Sequence, residues 1–192
     1  LAGGAVAALP DTQIAAFTTR QLTSLSTTAM SALTATSLDA LSEDELALFT
    51  SNQVRALTTT AIASLDTTQL NALDTTQISR LTVAQVAALA DTQIASLTSS
   101  QFAALTATEF TALTTTQLGA LTGDQISGLT TTQLRGLTAT NISALNNTQL
   151  TALSTTQMAA LTTTQIKGLD ADAVAALSTT QFAALNETQM AA

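Results

Sequence analysis

The chain has 192 residues and a net charge of −8, with 46% hydrophobic and only 9% charged residues. The hydrophobic content is too high for a disordered chain and sufficient to form a continuous core. The acidic balance argues against a nucleic-acid or anionic-membrane partner, because both need a basic surface, and the absence of Cys and His excludes disulfides and thiolate or imidazole metal ligands.

The sequence is one eight-residue phrase repeated 24 times without insertion or deletion. Residues 113–120 show the phrase, L-T-T-T-Q-L-G-A, and octad positions are numbered one to eight from its leucine. Position one is Leu in every octad except those that begin with Phe17 and Phe49. So strict a period predicts one small unit stacked on itself, a single array over residues 1–192. Because the chain begins and ends in register, we expect it to be a piece of a longer array.

Each octad carries a complete signal for the start of a helix. Position two is Ser, Thr, Asp or Asn in 21 of 24 octads, and position five is Gln or Glu in 18 of 24. This spacing is the capping box, in which the two side chains bind each other's backbone amides. Positions one and six are large and apolar, and their spacing matches the hydrophobic staple, as in Leu1 with Val6, Leu9 with Ile14 and Leu97 with Phe102.

The charged residues support a helix that restarts in every octad. Acids are expected early in a helix and bases late, because of the helix dipole. Twelve of the 13 acids lie at positions two to five, and Asp39 is the exception. Four of the five bases lie at positions seven or eight, namely Arg55, Arg80, Arg135 and Lys167, and Arg20 is the exception.

Other regular structures fit the period less well. In one continuous helix, eight residues at about 100° each would rotate the leucine column around the helix and leave no polar face. In a straight strand, positions one and six would point to opposite faces. A bent β-solenoid stays open as the alternative, since Thr favours strands and a bend can place both columns inside.

Short helices of this kind are unstable alone and must bury their apolar pair against neighbours. Position eight is Ala, Ser or Gly in 22 of 24 octads, which allows close approach, whereas the varied position seven indicates exposure to solvent. At position six, Leu is most frequent in odd octads and Ile in even octads. The sequence therefore predicts an all-α solenoid with one helix per octad and two helices per 16-residue coil.

No residue set along the chain is distinctive enough to predict a catalytic, cofactor or metal site. The first octad, residues 1–8, departs most from the repeated phrase. Glu43, Asp44 and Glu45 can be interpreted as a cation site or, as we favour, as the acidic first turn behind a Ser42 cap. Asp170 and Asp172 are interpreted in the same way, and Gly123 implies no phosphate loop.

The Phe and Met residues at position six are predicted core residues: Met30, Phe102, Phe110, Met158, Phe182 and Met190.

Two surface features have both a functional and a simple interpretation. Asn141, Asn146 and Asn186 match the glycosylation pattern, which arises by chance in a Thr-rich chain, and the last two already have capping roles. Positions two to four are often Thr together, as in residues 114–116 and 162–164. Repeated on a solenoid, these residues would form a lattice of hydroxyl and methyl groups that resembles the surfaces of ice-binding solenoids.

The phrase Leu-Thr-x-x-Gln-Ile/Val-x-x-Leu resembles the octad runs of large, exported bacterial repeat proteins of adhesin type. The resemblance covers the whole chain and implies an extracellular or cell-surface structural role. The stretch at residues 81–86 is also similar to the start of a TAL-effector repeat, but those repeats are longer and carry base-reading loops that this chain lacks.

We therefore expect a non-enzymatic structural array that serves as a spacer, stalk or fibre-forming segment and associates with itself end to end or laterally. We expect no cofactor, no nucleic-acid partner and no membrane insertion, since no apolar run approaches the roughly 20 residues that cross a bilayer. The alternative is a binding module whose Thr-rich face recognises ice, glycan or another repetitive surface.

Overall fold

A computed structural model describes residues 4, 6 and 8–192, apart from the side chain of Asp11. Across these residues the chain is an all-helical solenoid with 23 bounded helices of four to six residues and no strand, so the β-solenoid alternative is wrong. Among the described helices none has the length and apolar character needed to cross a membrane. The predicted contact between Leu1 and Val6 and the details of the first octad lie outside the described residues.

The chain divides into two compact units, which are described separately. The N-terminal unit, Leu1–Ala104, contains α1 Asp11–Ile14, α2 Thr19–Thr23, α3 Thr27–Met30, α4 Ala35–Asp39, α5 Glu43–Ala47, α6 Ser51–Ala56, α7 Thr59–Ala63, α8 Thr67–Ala72, α9 Thr75–Ile78, α10 Val83–Ala88, α11 Asp91–Ser96 and α12 Ser99–Ala104. The C-terminal unit, Leu105–Ala192, contains α13 Ala107–Phe110, α14 Thr115–Gly119, α15 Gly123–Ser127, α16 Thr131–Gly136, α17 Ala139–Ser143, α18 Asn147–Thr151, α19 Thr155–Ala160, α20 Thr163–Ile166, α21 Ala171–Ala176, α22 Thr179–Ala183 and α23 Glu187–Met190.

The corner between two helices consists of extended residues at positions one and two. Between α6 and α7, Leu57 has φ −61° and ψ 146°, and Thr58 has φ −68° and ψ 159°. Thr58 is the N-cap of α7, and its side chain accepts a hydrogen bond from the amide of Ala61. No described residue has a positive φ, so these helices end without the left-handed residue that often terminates a helix. The predicted restart of the helix is confirmed for every octad from residue 9 onward.

Helices pack on the third helix along the chain, not on the second. In the N-terminal unit α4 packs on α1 and α7, and α7 packs on α10; in the C-terminal unit α16 packs on α13 and α19, and α19 packs on α22. One coil within each unit is therefore three octads, or 24 residues, and the predicted 16-residue coil is wrong. The alternation of Leu and Ile misled the prediction because every side of the coil buries position six equally, so either residue serves on any side.

The core consists of positions one and six. Every position-six side chain from Val6 to Met158 is at most 2% exposed, which confirms the predicted core role of Met30, Phe102, Phe110 and Met158. The prediction is wrong for Phe182 and Met190, which are 42% and 51% exposed. No later coil of the described chain packs over Phe182 and Met190. Position six is therefore exposed at these two residues although it is buried from Val6 to Met158.

Candidate functional site

The most unusual feature of the core of both units is a set of buried polar side chains at position five, most of them amides. Every buried polar side chain of the described residues lies at this position. They are Ser37, Gln53, Gln69, Gln77, Gln85, Gln93, Gln101, Glu109, Gln117, Gln125, Gln133, Asn141, Gln149, Gln157, Gln165, Gln181 and Gln189. Because polar groups are costly to bury without partners, each of these side chains must be hydrogen-bonded.

The carbonyl end of each glutamine binds the cap of its own helix. Gln53 Oε1 accepts from the backbone amide of Thr50 at 2.8 Å, while the amide of Gln53 donates to Thr50 Oγ1 at 3.3 Å. In the C-terminal unit, Gln149 Oε1 accepts from the amide of Asn146 at 2.9 Å, and the amide of Gln149 donates to Asn146 Oδ1 at 3.0 Å. This pair of hydrogen bonds satisfies two amides that a helix start otherwise leaves unpaired.

The amide end of the same side chain reaches the preceding coil. Gln53 Nε2 donates to the carbonyls of Leu22 at 2.9 Å and Leu25 at 3.0 Å, which lie 31 and 28 residues earlier. The carbonyl 31 residues back is at the end of an earlier helix, and the one 28 residues back is in the corner that follows it. We call this arrangement of one glutamine, its own cap amide and two earlier carbonyls a glutamine clamp.

The clamp recurs with the same spacing in both units. Amide donation to the carbonyls 31 and 28 residues back is made by Gln53, Gln69, Gln77, Gln85 and Gln101 in the N-terminal unit. It is made by Gln149, Gln157, Gln165, Gln181 and Gln189 in the C-terminal unit. The clamp therefore ties each helix that carries it to the coil before it.

The capping box predicted from the sequence accounts for only half of the role of position five. A capping box needs an acceptor, which Gln and Glu supply equally well. The clamp also needs a donor, which Gln has and ionised Glu lacks. The bias at position five, with 16 Gln against two Glu, is the signal from which the donor could have been inferred.

Asn141 is a shortened version of the clamp. Its Oδ1 accepts from the amide of Thr138 at 2.9 Å, and its Nδ2 donates to the carbonyl of Leu113, 28 residues earlier, at 3.0 Å. The side chain is only 5% exposed, so this glycosylation pattern is closed in the folded chain. Asn146 and Asn186 cap α18 and α23, as predicted.

The acidic candidates from the sequence are parts of helix starts. Glu43, Asp44 and Glu45 form the first turn of α5, and a Glu45 carboxylate oxygen accepts from the Ser42 amide at 2.8 Å. Asp170 caps α21 by accepting from the amide of Ala173 at 2.8 Å, with Asp172 in the first turn. In the described part of the chain, no group of three or more His, Cys, Asp or Glu residues is arranged to hold a metal ion.

Asp66 is the N-cap of α8, and its environment favours the ionised form. The backbone amide of Gln69 donates to Asp66 Oδ1 at 2.7 Å, and Thr68 Oγ1 donates to the same oxygen at 2.6 Å. These hydrogen bonds stabilise the carboxylate and hold the pKa of Asp66 below its ordinary value. The carboxylate therefore stabilises a helix start, a structural role.

Two columns of exposed threonines follow the stacking in the C-terminal unit. Because α13, α16, α19 and α22 stack in order, as do α14, α17, α20 and α23, equivalent positions recur once per layer. Position four is an exposed Thr in all eight helices, namely Thr108, Thr132, Thr156 and Thr180 in one column and Thr116, Thr140, Thr164 and Thr188 in the other. The sequence predicted Thr columns, but their alignment depends on the 24-residue coil.

A protein-family model described as the ALTTAQ repeat matches residues 46–83, 129–163 and 158–192, which together make up just over half of the chain. The six-residue motif that names this family runs from position eight of one octad to position five of the next, as in residues 112–117, A-L-T-T-T-Q. It therefore includes the leucine of the corner, the cap and the glutamine of the clamp. No curated protein matches the chain.

Proposed function

The chain belongs to the ALTTAQ repeat family, and from this premise we propose that it is a spacer, stalk or fibre-forming segment of an extracellular or cell-surface bacterial protein. Membership of a tandem-repeat family supports a structural role. The location and the mechanical role are the proposal.

The glutamine clamp is the observation that carries this function. It uses a residue present in most octads, and the ten glutamines that form it bind their helices to the coil beneath at the same two carbonyl positions, as Gln53 and Gln149 do. In such an array, stability accumulates from contacts between neighbouring repeats. Length can then vary by whole octads without loss of the fold, which suits a spacer.

The proposed location depends on the resemblance to octad runs of exported bacterial adhesin-type proteins, and the absence of Cys is consistent with it. Exposure to protease added outside intact cells that make the protein tests this part. Digestion of the array in intact cells supports a surface location, and complete protection until lysis contradicts it.

We further propose that the chain acts without catalysis and without nucleic acid or membrane insertion. The chain lacks the His and Cys side chains that most nucleophile–base pairs require, and its net charge of −8 repels polyanions.

Deletion of one coil tests the spacer function. Removal of residues 57–80 takes out α7, α8 and α9 and preserves the octad register. We expect the maximum dimension from small-angle X-ray scattering to fall by about 8–10 Å, one helix layer, with unchanged helicity per residue. The control deletion, residues 57–76, breaks the register and should reduce helicity. A compact particle whose dimension does not follow the deletion would contradict the proposal.

Recognition of a repetitive surface is a second candidate function, and the two threonine columns of the C-terminal unit favour it. Combined Thr132→Val and Thr156→Val would remove two hydroxyls from one column. Inhibition of ice recrystallisation and glycan-array binding should then fall for a lattice binder, whereas Thr76→Val, at the same octad position in the N-terminal unit, serves as the control. A spacer shows neither activity before or after the change.

A further inference from the structure

The glycosylation patterns of the C-terminal unit have different environments. At Asn141 the nitrogen that would carry a sugar is already in use, since Nδ2 donates to the carbonyl of Leu113 at 3.0 Å. The side chain is only 5% exposed. A sugar on this nitrogen would place a bulky group in the packed core, so the pattern at Asn141 is closed in the folded chain.

The pattern at Asn146 is open. Asn146, Asn147 and Thr148, which form it, are all exposed. Asn146 Oδ1 accepts from the amide of Gln149 at 3.0 Å, whereas Nδ2 makes no hydrogen bond in the described part of the chain. The cap therefore uses the oxygen of the side-chain amide and leaves the nitrogen free.

The exposure of Asn146 is a property of its position within the stacked coils. Asn146 caps α18, which packs on α15 in the preceding coil and on α21 in the following coil. The residue has extended backbone, with φ −77° and ψ 169°, so it lies in the corner before the helix. Covering coils on both sides thus leave this side chain in contact with solvent.

An open groove of about 650 Å³ lies beside Asn146. Thr122 and Gly123 of the preceding coil form its other wall, and Gly123 has no side chain to fill it. The residues around the groove are uncharged and include hydroxyl and amide groups. These groups donate and accept hydrogen bonds as sugar hydroxyls require, so an attached sugar has both room and polar neighbours.

We propose that Asn146 is the acceptor of an N-linked hexose in the folded chain and that Asn141 is not. The tripeptide Asn146-Asn147-Thr148 has the acceptor pattern, with a residue other than Pro in the middle. The inference goes beyond the proposed structural function and does not depend on it.

The reaction needs a transferase and a nucleotide-activated hexose. Asn146 Nδ2 attacks the anomeric carbon, and the carbon–nitrogen bond forms while the bond from this carbon to the phosphate oxygen breaks. The nucleoside diphosphate leaves with the electron pair, and one proton of Nδ2 passes to a base of the transferase. Oδ1 remains a carbonyl oxygen throughout, so the modified residue still caps α18. The sugar therefore adds a bulky, soluble group to the surface without a change in the fold.

The test is hexose transfer to the folded 192-residue chain that carries Asn186→Asp. Asn186 caps α23 within a third glycosylation pattern, and Asp preserves this cap while removing the pattern. The reaction contains an N-glycosyltransferase that recognises N-x-S/T and a nucleotide-activated hexose, and a short N-x-T peptide shows that the enzyme is active. We expect the intact mass to increase by one hexose, and fragmentation to place this hexose on Asn146.

Matched variants separate the acceptor pattern from the fold. Thr148 is exposed and is not the cap, so Thr148→Ala should abolish transfer and Thr148→Ser should retain it. Asn141→Gln restores the usual residue of the clamp and should leave transfer unchanged. The inference is overturned if the folded chain receives no hexose, if the hexose is on Asn141, or if transfer survives Thr148→Ala.

Hydrogen exchange of the modified chain tests whether the cap persists. The amide of Gln149 donates to Asn146 Oδ1, which the reaction leaves in place. We expect this amide to exchange as slowly after modification as before it. Faster exchange at Gln149 would mean that the sugar displaces the cap, which contradicts the proposed geometry.

Discussion

Gln149 Nε2 lies 2.7 Å from the carbonyl oxygen of Leu118, 31 residues earlier in the chain. The same amide group donates to the carbonyl of Leu121 at 2.9 Å, and the other end of the side chain accepts from the amide of Asn146. One side chain therefore joins a helix start, an earlier helix end and an earlier corner. Its 1% exposure places all these hydrogen bonds in the interior, where a lost partner is not replaced by water.

Gln149→Ala should destabilise the C-terminal unit by about 3 kcal/mol, because three buried backbone groups each lose a partner. Hydrogen exchange measures this cost locally, and we expect faster exchange at Asn146 and at the amides of α18. Gln21→Ala is the control, since Gln21 is exposed and binds only its own cap, so its cost should stay near or below about 1 kcal/mol. Equal costs at the two sites would show that the clamp contributes nothing beyond the cap.

Gln149→Glu should make stability depend on pH. The carboxylate would direct an oxygen at the carbonyls of Leu118 and Leu121, so the folded state favours the protonated acid and its pKa rises. Below the unfolded pKa of about 4.3, both states are protonated and the variant should be close to the unchanged chain. As pH rises through that value, the unfolded state ionises and stability falls. Denaturant unfolding from pH 4 to pH 7 checks the sign, and a variant that is more stable at pH 7 than at pH 4 contradicts it.

The local structure of the octad could be predicted from the sequence because its determinants lie within eight residues. Thr58 at position two and Ile62 at position six have the predicted roles of cap and core residue. The exposed position seven follows from its varied composition, as at Arg55.

The number of octads per coil could not be predicted in the same way. It depends on the angle between successive helices, which is set by two extended corner residues such as Leu57 and Thr58, and these look alike at every corner. The hydrogen-bond partners of the Gln53 amide could not be predicted from the sequence for the same reason. Without the 24-residue coil, no pattern indicates that its amide meets carbonyls 28 and 31 residues away.

Asp66→Asn should remove a pH-dependent contribution to the stability of α8. Hydrogen bonds from the Gln69 amide and from Thr68 hold the pKa of Asp66 below its ordinary value, so the carboxylate stabilises the fold above that value. This contribution is lost as pH falls through the folded pKa. Asn is an equally good N-cap, so the substitution isolates the charge.

Thermal unfolding at neutral pH should therefore rank the unchanged chain above Asp66→Asn, and the difference should close below about pH 4. The matched control is Asp39→Asn, which changes an exposed acid at position seven that is not a cap. A difference that widens in acid, or an NMR titration that places the pKa of the Asp66 carboxyl above its ordinary value, would contradict the assignment.

Gly168→Ala and Gly119→Ala should change stability in opposite directions. A Cβ at Gly168 would lie 2.7 Å from the carbonyl oxygen of Ala139 in the helix beneath, whereas a Cβ at Gly119 would meet nothing within 4 Å. Neither glycine has a positive φ, so backbone conformation does not oppose alanine at either site. We expect Gly168→Ala to cost about 1–3 kcal/mol through displacement of the packed layer. Gly119→Ala should gain up to about 1 kcal/mol, since Gly119 ends α14 and alanine favours the helix. Denaturant midpoints of the two variants measure the difference, and a gain at both sites would show that the layers at Gly168 separate at no cost.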